Sequence, residues 1–88
     1  MPIGGTNADA AARLSRSRVR MADELVNTLR EAREARGWTQ AQLAEAIGVS
    51  RKTINTIENG VFVPSTVIAL KLARALGQPV EALFSLEE

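Results

Sequence analysis

Neither cysteine nor histidine occurs in this chain of 88 residues, and tyrosine is absent as well. Without cysteine there are no disulfides, no thiol nucleophile and no thiolate metal ligand. Without histidine the usual acid–base catalyst near neutral pH is missing. No metal-ligand cluster and no phosphate-binding glycine loop replaces them, so neither an enzyme nor a cofactor is expected. A chain free of disulfides suits a reducing cytoplasm. The aromatics are only Trp38, Phe62 and Phe84, which leaves the core to Leu, Ile, Val and Ala. No apolar stretch approaches the ~20 residues that span a bilayer, and the first residues hold no apolar run of the kind a secretion signal needs.

Charge of one sign is lacking too, since the net value is only +1. That small sum hides an asymmetry. Arg13, Arg16, Arg18 and Arg20 face Asp9 alone in residues 1–22, whereas the remainder holds seven basic and nine acidic residues. An anion-binding surface in that remainder must come from local clustering of cations. The length allows one domain, whose core buries about 60–65% of the unfolded surface. Association with a second copy would offset that marginal stability.

The pattern predicts an all-α domain of five helices over residues 21–88, preceded by a basic, flexible or partly helical extension over residues 1–20. Residues 1–7 read as a loose end. Residues 8–20, rich in Ala and Arg, read either as a solvated tail or as an arm that orders on phosphates or in a minor groove. From Met21, Leu25, Val26, Leu29, Ala32 and Ala35 recur at helical spacing up to Gly37. Thr39 with Gln42 forms a capping box for a second helix, Gln40 to Ile47, stopped at Gly48. Ser50 caps a third, Arg51 to Glu58, closed by Asn59-Gly60. Ser65 caps a fourth, with Val67, Ile68, Leu70, Leu72, Ala73 and Leu76 as its expected core face. Pro79 opens a short fifth helix through Val80, Leu83 and Phe84. No strand pattern is visible.

Gln40 to Asn59 forms a unit. Ala44 allows two helices to cross closely, Gly48 supplies the turn, and Ile54 and Ile57 face Leu43 and Ile47. The outer face of the third helix then carries Arg51, Lys52, Thr53, Asn55 and Thr56, with no carboxylate before Glu58. Cations, hydroxyls, an amide and methyl groups are what base edges in a major groove require. The same face also fits an ordinary solvated helix.

The stretch from about Val26 to Phe84 resembles the phage lambda repressor-like, or XRE-family, helix-turn-helix regulators. The resemblance rests on Trp38 to Ala44, Ile47-Gly48-Val49-Ser50-Arg51, Thr53-Ile54-Asn55, Ile57-Glu58-Asn59-Gly60, Pro64-Ser65 and Leu72 to Gly77. It implies a regulator, most simply a repressor, acting on double-stranded DNA at a palindromic operator as a homodimer at the bacterial or phage nucleoid. It further implies that Gln40 touches a phosphate and that Ser50 does so besides capping its helix. Arg51, Lys52, Thr53 and Thr56 would face the bases or the adjoining backbone, with Asn55 at the edge. Asn59 and Gly60 would aim backbone N–H groups at a far phosphate. Arg33 and Glu58 match a partly buried salt bridge that ties the first helix to the end of the reading helix.

One departure stands out. The loop after Asn59-Gly60 is Val61-Phe62-Val63, where relatives often carry a basic or polar residue. Phe62 reads as a plug packed into the structure, the alternative being an exposed apolar surface. Val80, Leu83, Phe84 and Leu86 exceed what a short last helix needs and are candidate dimer contacts. Two other readings remain: an antitoxin that uses the N-terminal extension to bind a partner protein, and an interaction module that kept this fold without DNA binding.

Overall fold

A computed structural model describes residues 19–21 and 25–87. The element order is β1 (Val19–Arg20), β2 (Leu25–Asn27), α1 (Leu29–Ala35), α2 (Gln40–Ile47), α3 (Arg51–Glu58), α4 (Thr66–Leu76), α5 (Val80–Leu83) and β3 (Phe84–Leu86). Among the described residues five helices pack over an aliphatic core in which Leu29, Leu43, Ile54, Ile57, Leu72 and Leu83 are buried almost completely. Burying each such side chain contributes about 1.5–3 kcal/mol. Of the arm or tail expected over residues 8–20, residues 8–18 lie outside the described residues.

Three short strands correct the purely helical expectation. They form an antiparallel sheet in the order β1-β2-β3, with Arg20 opposite Val26 and Val26 opposite Ser85. The apolar spacing of Leu25, Val26 and Leu29 fits a strand followed by a helix as well as one long helix. Asn27 decides between them. Its side chain is buried, accepts from Leu29 N–H at 3.0 Å and donates to the Ile57 carbonyl at 3.2 Å. That turn-type capping starts the helix at Leu29 rather than Met21. Tertiary pairing reinforces it, since Thr28 N–H donates to the Leu83 carbonyl and the Thr28 hydroxyl donates to the Ala82 carbonyl. Phe84 correspondingly leaves the last helix for extended backbone. The folded unit takes in Val19 and Arg20, two residues before Met21.

The helix boundaries of α2 and α3 follow from local chemistry. Gln42 N–H donates to the Thr39 hydroxyl at 3.1 Å and Thr39 N–H to the Gln42 side chain at 2.8 Å. Gly48 takes the left-handed conformation that closes α2, and Ser50 accepts from Thr53 N–H to open α3. In α4 only part of the expected apolar face is inward. Ile68, Leu72, Ala73 and Leu76 join the core, whereas Val67 and Leu70 are 62% and 54% exposed. Those two residues lie three apart on a second stripe of the helix.

Candidate DNA interface

Helices α2 and α3 make the most extensive helix–helix contact of the fold, through Leu43, Ala44 and Ile47 against Ile54 and Ile57. Val49 N–H donates to the Ala44 carbonyl at 3.0 Å and holds the turn between them. This packing leaves Arg51, Lys52 and Asn55 exposed on the outer face of α3, with Thr53 and Thr56 half-buried at its side. The one carboxylate of α3, Glu58, leaves that face because it turns inward and is buried.

Glu58 is the hub of the scaffold behind the face. Arg33 meets it with Nε–Oε2 at 2.6 Å and Nη2–Oε1 at 3.2 Å. The other Arg33 nitrogen, Nη1, donates to the Trp38 carbonyl at 2.7 Å. Gln40 Nε2 donates to Glu58 Oε1 at 3.0 Å, and Arg30 Nε approaches the same oxygen at 3.4 Å. Burial pushes the Glu58 carboxyl upward, but hydrogen bonds from Arg33 and Gln40 and the charge of Arg33 outweigh it and hold the pKa below its ordinary value. The hydrogen bond to Glu58 raises the pKa of Arg33 against the opposing effect of burial. One carboxylate thus joins α1, α2 and the end of α3, fixing the angle at which α3 is presented.

The remaining candidate residues fall around this hub. Gln40 sits at the N-terminus of α2 between Glu58 and Asn55, whose Nδ2 approaches Gln40 Oε1 at 3.5 Å. The Asn59 N–H donates to the Asn55 carbonyl and the Gly60 N–H to the Ile57 carbonyl, both at 3.0 Å, so the N–H groups considered for a phosphate are engaged within the helix end. The side chains presented at this turn are instead Asn59 and Arg30, which lie 3.5 Å apart. Arg30 and Asn27 were not singled out in the sequence. Arg30 precedes Arg33 by one helical turn, and Asn27 is a capping residue inside an apolar period; these were the available signals.

Gly60 is required twice over. Its φ is +77°, and a Cβ there would lie 2.6 Å from the Arg20 carbonyl oxygen and 2.9 Å from Val19 Cγ1. Strand β1 therefore seats against the turn that ends the reading helix. Gly60→Ala is expected to destabilise the domain by about 1–2 kcal/mol from the left-handed backbone alone, with a lower midpoint in urea; an unchanged midpoint would remove β1 from this turn.

Two expectations for apolar residues need correction. Phe62 is not a buried plug: it is 42% exposed and Val61 is 76% exposed, because both lie outside the core packing. Leu83 is 1% exposed and completes the core, so it has no surface to offer a second copy. Val80 and Phe84 are half-buried and line an apolar groove of about 260 Å³ with Leu25, Val63, Ala69 and Leu70. Leu86 is 65% exposed. Among the described residues no helix is long and apolar enough to cross a membrane.

A helix-turn-helix family profile matches residues 29–83. The uncharacterised HTH-type transcriptional regulator YgzD of Bacillus subtilis is 42% identical over 62 residues, covering 70% of this chain and 94% of the relative. An uncharacterised HTH-type transcriptional regulator of Methanothermobacter thermautotrophicus is 46% identical over 61 residues, covering 68% and 88%. The crystal structure of the restriction-modification controller protein C.AhdI from Aeromonas hydrophila superposes with a TM-score of 0.59 at 39% identity, covering 61% of this chain and 82% of that one. Antitoxin HipB of Escherichia coli is 34% identical over 53 residues, covering 60% and 56%.

Proposed function

Because the chain belongs to the helix-turn-helix family of lambda repressor-like transcriptional regulators, we propose that it represses transcription by inserting α3 into the major groove of a palindromic operator as a homodimer. The observation that carries this reading is the outer face of α3: Arg51, Lys52 and Asn55 are exposed together, and the one carboxylate of the helix, Glu58, is buried behind them. In this reading Arg51 and Asn55 pair with base edges, as guanidinium with guanine and amide with adenine. Lys52, Gln40, Ser50 and the side chains of Asn59 and Arg30 at the turn meet the sugar–phosphate backbone. The N-terminus of α2 adds the partial positive charge of its helix dipole beside Gln40.

Two copies are proposed to meet through the apolar groove and the exposed stripe of Val63, Val67 and Leu70. Two-fold symmetry then matches two half-sites about one helical turn apart. Leu70→Glu places a charge in that surface without touching α3. It should convert a dimer to a monomer in light scattering and weaken operator binding; a variant that keeps the wild-type mass would move the interface elsewhere.

Selection of bound fragments from genomic DNA tests the function directly. The reading expects enrichment of a symmetric sequence, including one upstream of the gene for this protein. No enrichment of any fragment overturns it. The alternative of an interaction module without DNA binding is disfavoured by the cationic, acid-free reading face. The antitoxin alternative has the HipB likeness in its favour, and co-purification of a toxin encoded by a neighbouring gene distinguishes it.

A further inference from the structure

We propose that Val61 and Phe62, together with the methyl groups of Thr53 and Thr56, form a receptor for the 5-methyl group of a thymine in the operator. The inference rests on the DNA-reading function above and adds a specificity-determining element to it.

The loop residues are exposed apolar groups beside a polar helix face, which water alone does not favour. They are held in place, since the N–H groups of Val61 and Phe62 both donate to the Thr56 carbonyl, at 2.9 and 3.2 Å. Between loop and helix lies a shallow cavity of about 320 Å³ lined by Ser50, Lys52, Thr53, Thr56, Val61 and Phe62. The Thr56 hydroxyl donates to the Thr53 carbonyl at 2.9 Å, and the Thr53 and Ser50 hydroxyls share a hydrogen bond of 3.0 Å. With their hydroxyls engaged within the helix, the threonines offer the cavity mainly their methyl groups. An apolar contact to the thymine methyl is the one feature of the major groove that such a surface recognises.

The position selects DNA over a second copy of the chain. The cavity is continuous with the reading face, Lys52 stands at its rim where a phosphate would be neutralised, and the groove proposed for dimerisation lies elsewhere, sharing none of these lining residues. A protein docked here would exclude the DNA that α3 reads.

The test uses the full chain and a duplex obtained by the genomic selection. Each thymine of the duplex is replaced in turn by deoxyuridine, which removes the methyl group and nothing else. At one thymine per half-site, wild-type affinity should fall about fourfold, the factor corresponding to one buried methyl group. In Phe62→Ser and Val61→Ser that ratio should approach one, while Phe62→Leu preserves it. No sensitivity to any deoxyuridine, or an unchanged ratio in both serine variants, overturns the proposal and leaves α3 as a reading helix. An altered subunit number in Phe62→Ser with the ratio intact overturns it too, assigning the loop to protein contact. Failure of the wild type to prefer the selected duplex over a scrambled one overturns the DNA-reading function itself.

Discussion

Glu58→Ala is expected to destabilise the domain by about 3–5 kcal/mol, the cost of leaving a buried partner charge uncompensated. The Glu58 side chain is wholly buried, and Arg33, on its other side, is 10% exposed. Alanine would leave that guanidinium with the Trp38 carbonyl and the more distant, exposed Glu34 carboxylate, 3.9 Å away, as its remaining partners. It would also release Gln40 and Arg30 from the oxygen they share. Against a total stability of about 5–15 kcal/mol for a domain, the loss leaves a large unfolded fraction, visible in a urea titration. Glu58→Gln keeps the shape and one acceptor and should cost less.

Acid provides a second view of the same pair. The folded-state pKa of Glu58 is depressed, so its contribution is complete above the ordinary glutamate value of about 4.3. That contribution is lost as pH falls through the depressed value, because the unfolded chain then binds the proton more readily. Glu58→Gln should lose this part of the acid dependence while keeping the fold near neutral pH. Parallel stability curves for wild type and Glu58→Gln at all pH values would contradict the role given to the charge.

Arg51→Ala is expected to weaken operator binding by about 1–3 kcal/mol and to flatten the preference at one base position. Arg51 is the first residue of α3 and is exposed, and the cap of the helix belongs to Ser50, so alanine leaves the fold intact. Its guanidinium fork matches the two acceptors of guanine. Lys52→Ala should behave differently, lowering affinity for all duplexes alike and reducing the salt slope by about 1. Affinities measured over a panel of single-base operator variants separate the two effects. A uniform loss for Arg51→Ala would place it on a phosphate instead.

How much of this was legible in the sequence varies with the range of the interaction. Thr39, Ser50 and Ser65 cap their helices through hydrogen bonds from the residue three positions on, so the helix starts could be read directly. The crossing of α2 and α3 followed from Ala44, Gly48 and the apolar spacing. The pairing of Arg33 with Glu58 spans 25 residues and came only from resemblance to a family. The strands had no local signal, since two or three residues each cannot show alternation. Their pairing joins Leu25 to Leu86 across the whole domain. Asn27 drew no notice inside the apolar period, because its role depends on the Ile57 carbonyl it reaches. The exposure of Phe62 was equally hidden, because burial of one aromatic is set by what packs over it.

The central claim is that the face of Arg51 to Thr56 reads DNA sequence. It is tested most directly by titrating the selected operator and a scrambled duplex of equal length and composition over a range of salt concentrations. The account predicts operator affinity on the order of 10³-fold or more above the scrambled duplex, with both affinities falling steeply as salt rises. Equal affinity for the two duplexes, or binding that does not respond to salt, would contradict it.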